Sequence, residues 1–204
     1  MSIAACAAAL RPARAMETKS YDGVLLLPDD TNCLTRESAS GYHRVLASVE
    51  SRFRTIIVPA MGALSLPTAI ELRHKAEAGY SVVLESGLAF AGARTAERQC
   101  AVMSKVFGLH VELISDDVIN DPAARVSYLR YRWPEDVLVR QFGQPVAVGG
   151  SQCQPMAHWG RFTVAAKKST GSGRVIFLGS PLGPMLMAQD REATLLVRHL
   201  LSIC

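Results

Sequence analysis

The sequence has few of the features that mark disulfide-bonded, zinc-binding or membrane-spanning proteins. Its five cysteines are odd in number, and no two of them form a Cys-x-x-Cys pair, so neither a disulfide framework nor a zinc site is predicted. No apolar run approaches the roughly 20 residues that a membrane-spanning helix needs. We therefore expect a cytoplasmic protein with no metal, no cofactor and no membrane contact.

The charged residues give no sign of a nucleic-acid partner. The net charge is only +4, and aromatic residues make up 6% of the chain. The longest basic pair worth noting, Lys167-Lys168, lies beside a stretch rich in glycine and serine that predicts a solvated hairpin tip. Phosphate binding needs clustered cations, often with aromatic residues between them, and this sequence does not supply them.

Residues 1–19 are predicted to be a tail or a short helix outside the folded domain. The apolar residues from Met1 to Leu10 come before Arg11 and Arg14 rather than after a basic segment, which argues against a signal peptide. The remaining residues, 20–204, are expected to form a single domain, since a length of this order suits one domain.

The first half of the chain alternates between buried strands and amphipathic helices. Three short apolar runs bounded by turn residues predict strands buried on both faces: Val24–Leu27, Thr55–Pro59 and Ser81–Leu84. Helical spacing follows each run. We expect Ser38 or Ser40 to cap the first helix and Ser65 to cap the second, and the third helix to end at Gly108. This rhythm predicts parallel strands joined by right-handed crossovers.

The second half has a different pattern. Residues 115–125 are polar and predict a loop, and residues 128–148 predict short strands. Two apolar runs, Phe162–Ala166 and Arg174–Leu178, flank a Gly/Ser-rich turn and predict an antiparallel hairpin. A last helix is expected over 190–200. The whole pattern predicts an α/β fold with three layers, in which a mostly parallel sheet has helices on both faces, as in flavodoxin-like folds.

Three segments carry a resemblance to a known family. They are Ile57–Pro59 followed by a helix ending in Ala78–Tyr80, the strand and turn Val82–Gly87, and the stretch Gly171–Ser180 before a C-terminal helix. Over residues 20–204 the chain resembles class I glutamine amidotransferase-like domains. Within that group it looks most like the non-catalytic branch, which includes the trimerisation domain of some bacterial β-galactosidases.

The resemblance implies a domain without the family's catalytic residues. Active members carry a cysteine in a Gly-x-Cys-x-Gly turn after the third strand, where backbone N–H groups stabilise an oxyanion. The matching turn, Leu84–Leu88, has no cysteine. Active members also carry a His-Pro-Glu sequence after a late strand, and of these only Pro181 is present, in Leu178–Leu182. Glutamine hydrolysis is therefore not expected.

The same turn offers two candidate catalytic residues. Ser86 would be a nucleophile in place of the cysteine, with His158 as its base; the alternative is that Ser86 makes the turn or caps a helix. Glu85 would act as an acid or base. Ligands of open α/β sheets bind at the carboxyl ends of the strands, where we expect further ligand-binding residues: Asp29, Asp30, Met61, Gly87 and Ser180. For the two aspartates, the alternative is a turn held by local hydrogen bonds.

Two functions remain open on the sequence alone. One is a catalytically degenerate binding or assembly module, with a small-molecule ligand, a protein partner or a homo-oligomer. The other is a hydrolase of the same fold that uses Ser86 or Glu85. The missing cysteine and histidine favour the first, and the strand-turn-helix at Glu85–Gly87 is what suggests the second.

Overall fold

The computed structural model describes residues 24–26, 33–48, 54–120 and 128–202. Its strands are β1 (Val24–Leu26), β2 (Thr55–Val58), β3 (Ser81–Glu85), β4 (His110–Leu113), β5 (Tyr128–Tyr131), β6 (Val137–Arg140), β7 (Val146–Gly149), β8 (Gln154–Trp159), β9 (Phe162–Thr170) and β10 (Gly173–Leu178). Its α-helices are α1 (Cys33–Leu46), α2 (Leu66–Glu77), α3 (Ala93–Val102), α4 (Asp116–Asn120), α5 (Gly183–Met187) and α6 (Arg191–Ser202). A 3₁₀ turn, Leu88–Phe90, follows β3, and a π-helical turn, Met103–Phe107, extends α3.

Eight strands form one mixed sheet in the order β1-β2-β3-β10-β9-β8-β5-β6, while β4 and β7 form a separate pair. The first four strands of that order are parallel. From β10 to β6 every neighbouring pair is antiparallel. The predicted hairpin is confirmed as β9 and β10. The prediction of a mostly parallel sheet was only partly right. The strands of the first half and β10 are parallel, but the short strands of the second half join the same sheet as an antiparallel extension.

The parallel strands are buried on both faces, as their continuous apolar runs predict. Ile57, Val83 and Ile176 point to a core shared with α1, α5 and α6. Their neighbours Ile56, Val82 and Val175 point to a second core, shared with α2 and α3. The α/β character is therefore confirmed, whereas the flavodoxin-like three-layer assignment stays a prediction.

Helix boundaries follow the predicted signals in part. Ser65 accepts a hydrogen bond from the N–H of Thr68 at 3.3 Å and caps α2. Gly108 takes a left-handed conformation (φ 64°) and ends the π-helical turn. The prediction of a cap at Ser38 or Ser40 was wrong, because α1 begins at Cys33 and both serines lie inside it.

Two further predictions concern the loops and membrane contact. The segment 115–125 is not a loop throughout, since Asp116–Asn120 forms the short helix α4. Within the four described ranges, no helix is both long and apolar enough to cross a membrane. The predicted tail, residues 1–19, lies outside the described residues.

Candidate functional site at the carboxyl end of β3

The site is centred on Glu85, the last residue of β3. Its neighbours in the sheet are β2 on one side and β10 on the other, where Glu85 lies in register with Leu178. The side chain is 0% exposed. A carboxyl group in such a place is costly unless hydrogen bonds compensate for the water it has lost.

Four donors from three separate segments supply that compensation. The Tyr42 hydroxyl, on α1, donates to Oε1 of Glu85 at 2.5 Å. The N–H groups of Leu182 and Gly183, after β10, donate to the same oxygen at 2.7 and 3.3 Å. The N–H of Ala60, after β2, donates to Oε2 at 2.9 Å. The carboxyl group thus connects α1 with the loops that follow β2 and β10.

Burial and hydrogen bonding act in opposite directions on the pKa of Glu85. Burial is the larger effect and raises the pKa from 4.5 to about 7, although the four hydrogen bonds stabilise the charged form and lower it. Burial also raises the pKa of Tyr42 and of Tyr131, and the charge of Glu85 raises both further. The carboxyl group and the two phenols therefore form one electrostatically coupled buried cluster.

Ala60 is held in an unfavourable backbone conformation beside this cluster. Its φ of 34° lies in the left-handed region, which costs a residue other than glycine on the order of 1–3 kcal/mol. Its N–H donates to Glu85, and its carbonyl oxygen accepts a hydrogen bond from the Thr35 hydroxyl at 2.8 Å. Two buried side chains therefore fix the turn after β2.

Ser86 and His158 are not brought together. Ser86 is 2% exposed, and its N–H donates to the carbonyl of Leu178 at 2.7 Å. His158 lies half-buried in strand β8, next to a shift in the register with β9, and is paired with Arg130 and Thr163. In the sheet order β3-β10-β9-β8, three strand spacings put roughly 14 Å between the two strands.

Three of the predicted ligand-binding residues lie close to the carboxyl end of β3, where they form hydrogen bonds or packing contacts with other parts of the protein. Met61 is buried, and its N–H donates to the carbonyl of Glu85 at 3.2 Å. Gly87 lies directly against the backbone of Ala60, where a Cβ would come within 2.4 Å of the carbonyl carbon. The buried Ser180 hydroxyl donates to the carbonyl of Phe142 and accepts from its N–H, both at 3.0 Å.

The remaining predicted ligand-binding residues, Asp29 and Asp30, lie outside the described residues. Among the residues that are described, no group of three or more His, Cys, Asp or Glu side chains could hold a metal ion.

The sequence reasoning missed the polar side chains that α1 presents to the site. Thr35, Ser38 and Tyr42 are all buried, at positions i, i+3 and i+7 of the helix, and so lie on one face of it. Three buried hydroxyls within the described part of the chain have no hydrogen-bond partner: those of Ser38 and Tyr131, near the site, and that of Thr55, at the start of β2. A signal was present: small polar residues recurred at helical spacing on a face that also carries Val45 and Leu46.

Comparison with solved structures shows that this chain is similar in fold to a part of several glycosidases. The exo-β-1,4-mannosidase Op5Man5 from Opitutaceae bacterium strain TAV5 matches with a TM-score of 0.57 and 15% identity, over 81% of this chain and 31% of that one. The β-galactosidase from Bacillus circulans sp. alkalophilus matches with a TM-score of 0.54 and 12% identity, over 87% and 31%. This chain therefore spans under a third of the length of either glycosidase.

A third likeness covers most of both chains. The cytoplasmic protein STM1381 from Salmonella typhimurium LT2 matches with a TM-score of 0.51 and 12% identity, over 73% of this chain and 71% of that one. No protein-family model matches the sequence, and no curated protein matches it. At these identities the likenesses show the fold alone. They confirm the predicted similarity to a part of β-galactosidases, while the amidotransferase-like assignment stays a prediction.

Proposed function

We propose that this chain is a non-catalytic assembly module of amidotransferase-like fold. The observation that carries the proposal is the set of contacts made by the turn after β3. Directly before Ser86, the residue in the place of the family's nucleophile, this chain has the fully buried carboxyl group of Glu85, whose two oxygens accept four hydrogen bonds from the protein itself. The turn therefore serves to hold three segments together.

The surroundings of Ser86 support the same conclusion. A serine nucleophile needs a base within hydrogen-bond reach and access for the substrate. Ser86 is 2% exposed, and the candidate base His158 lies three strands away in the sheet. Gly87 packs against the loop after β2, so the two loops that would border a substrate pocket are in contact.

The glycosidase likenesses support the assembly part of the proposal. This chain corresponds to 31% of the mannosidase and 31% of the Bacillus β-galactosidase, as expected for one domain of a larger enzyme. The sequence resembles the trimerisation domain of some bacterial β-galactosidases. We therefore propose that the chain forms a homo-oligomer and that its location is cytoplasmic, in keeping with free thiols at Cys33, Cys100 and Cys153.

A labelling experiment tests the absence of catalysis. The purified chain is treated with a fluorophosphonate probe, and in parallel it is assayed for release of ammonia from glutamine and for cleavage of p-nitrophenyl acetate. We expect no labelling and no turnover above the level of Ser86→Ala. Labelling or ester cleavage that disappears in Ser86→Ala would overturn the proposal.

One observation favours the alternative of a hydrolase that uses Glu85. A pKa of about 7 lies in the range that suits a general acid or base at neutral pH. For that function the carboxyl group would have to become accessible. Turnover lost in Glu85→Gln, with the fold retained by circular dichroism, is the result that would establish this alternative.

Light scattering coupled to size-exclusion chromatography tests assembly. A monomer of this chain has a mass of 22.0 kDa. We expect a higher mass that rises with protein concentration toward a whole multiple of this value. A mass that stays at 22.0 kDa up to millimolar concentration would refute the assembly function.

A further inference from the structure

Strand β6 ends the eight-stranded sheet and pairs on one side only. Its neighbour is β5, in the register Tyr128↔Arg140 to Tyr131↔Val137. No other described strand pairs with β6. In a strand with one partner, alternate residues direct their N–H and C=O groups away from the sheet, so this edge can accept another strand.

The two faces of β6 differ sharply. Val137 and Val139 are buried in the core, whereas Leu138 and Arg140 are exposed. Leu138 is 55% exposed, more than any other large hydrophobic side chain among the described residues. Asp136 directly precedes the strand and is also exposed. The outer face therefore carries an acidic, an apolar and a basic residue at successive alternate positions.

The order Asp136, Leu138, Arg140 is complementary to the same three residues of an antiparallel second copy. We propose that β6 pairs antiparallel with β6 of a second copy of this chain, about a twofold axis at Leu138. In that register each Asp136 lies opposite Arg140 of the other copy, and the two Leu138 side chains meet between the ion pairs. The proposal rests on the assembly function above and names the surface and the partner for it.

Other registers lose this complementarity. An axis at Val139 would place Arg140 opposite Leu138, and an axis at Val137 would place Asp136 opposite Leu138. An axis between two residues would set the buried valine face of one strand against the exposed face of the other, which the alternation of side chains in a sheet disfavours. The charge pattern therefore selects a single register.

The contacts within one copy leave these charges available. Arg130 donates to both carboxylate oxygens of Asp136, at 3.1 and 2.8 Å, which fixes the carboxylate on the outer face and leaves lone pairs for a second cation. Arg140 makes no ion pair with any described residue. In the dimer each Asp136 would lie between Arg130 of its own copy and Arg140 of the other.

The proposed contact is small and should be weak. Four residues of edge strand fall below the area of a standard stable interface, and each cross-strand pair contributes about 0.2–1 kcal/mol. The dimer should therefore dissociate on dilution. It should also weaken as salt rises, because exposed ion pairs are screened.

Charge reversal tests the register by sedimentation equilibrium over a concentration series. Asp136→Arg places two arginines opposite each other, and Arg140→Asp places two aspartates opposite each other. We expect each single variant to dimerise roughly tenfold or more weakly than the unchanged chain. An equimolar mixture of the two should form a heterodimer, because every opposing pair is then of opposite charge. The double variant restores opposite charges across the contact but removes the carboxylate partner of Arg130, so it should dimerise more tightly than either single variant and less tightly than the unchanged chain.

Controls separate a general charge effect from the proposed contact. Arg98→Asp makes the same change of charge at an exposed site on α3 and should leave the dimer unchanged. Arg140→Gln, which keeps the Arg130–Asp136 pair, should weaken the dimer and reduce its dependence on salt. This milder variant keeps the test decisive if a charge reversal disturbs folding.

The outcomes also separate this inference from the assembly function. If the unchanged chain oligomerises and the charge reversals have no effect, the β6 contact is refuted while assembly stands. If the mixture of single variants stays monomeric although each is folded, the register is refuted. If the unchanged chain is monomeric at every concentration, both proposals fail.

Discussion

Replacing Glu85 by glutamine removes an ionisable group from the core and keeps the size of its side chain. The carbonyl oxygen of glutamine can still accept from Tyr42 and Leu182, whereas its amide group would face the N–H of Ala60, which also donates. That mismatch should destabilise the variant by a similar amount at every pH. The difference in free energy of unfolding between the unchanged chain and Glu85→Gln should, however, change with pH.

The sign follows from the raised pKa of Glu85. The folded protein holds the proton more tightly than the unfolded chain, so this group stabilises the fold fully below its unfolded pKa of about 4.5 and loses that contribution as pH rises through about 7. A shift from 4.5 to about 7 is worth about 3 kcal/mol at about 1.4 kcal/mol per pKa unit. Between pH 5 and pH 8 the loss should be about 2–3 kcal/mol.

Urea unfolding measured between pH 5 and pH 8 gives this difference, with the buried Trp159 as a fluorescent reporter. The stability advantage of the unchanged chain over Glu85→Gln should shrink as pH rises. Other titrating groups, such as His43, whose pKa burial lowers, affect both proteins and cancel in the comparison. A difference that is constant or grows with pH would refute the reasoning, because it would mean that the four hydrogen bonds outweigh burial and keep the carboxylate charged.

Two further predictions concern the same site. Tyr42→Phe removes a hydrogen bond to the carboxyl group and should destabilise the fold by about 1.5–3 kcal/mol. The loss should be larger at pH 8 than at pH 5, since the hydroxyl favours the charged form of Glu85; equal losses in urea unfolding at both pH values would contradict this. Gly87→Ala should cost about 1–3 kcal/mol, because the new Cβ would meet backbone atoms at 2.4 Å. Gly149→Ala is its matched control, with no atom within 4 Å of the new Cβ, and a similar loss in both would show that the close approach at Gly87 is not the cause.

The alternation of strands and helices could be predicted from the sequence because each element carries its own local signal. Continuous apolar runs predicted β2 and β3, and Ser65 marked the start of α2. The sheet of the second half was harder to predict. Strands such as β5 and β6 are four residues long, and nothing local to them determines that they extend the main sheet while β4 and β7 pair separately.

The position of the candidate site could be predicted from the sequence, but the side chains that surround Glu85 could not. Glu85, Ser86 and Met61 do meet at the carboxyl end of the parallel strands, since that follows from strand direction alone. Tyr42 and Tyr131 were missed because they occupy positions where the pattern of a helix and of a strand predicts an apolar side chain. The Tyr42 hydroxyl becomes a donor to Glu85 only when the chain folds and α1 lies against the end of β3, and the charge of Glu85 reaches Tyr131 only in the folded core.

By itself, the sequence determined that the chain forms buried strands alternating with helices and that no cysteine lies in Leu84–Leu88 and no histidine in Leu178–Leu182. Both facts can be read from neighbouring residues. Only the tertiary structure decided that Glu85 is a buried connecting group rather than an exposed acid or base. Its donors lie 25 to 98 positions away along the chain, and no local pattern reports whether distant donors will converge on one carboxyl group. The burial that they make tolerable is also what raises the pKa of Glu85.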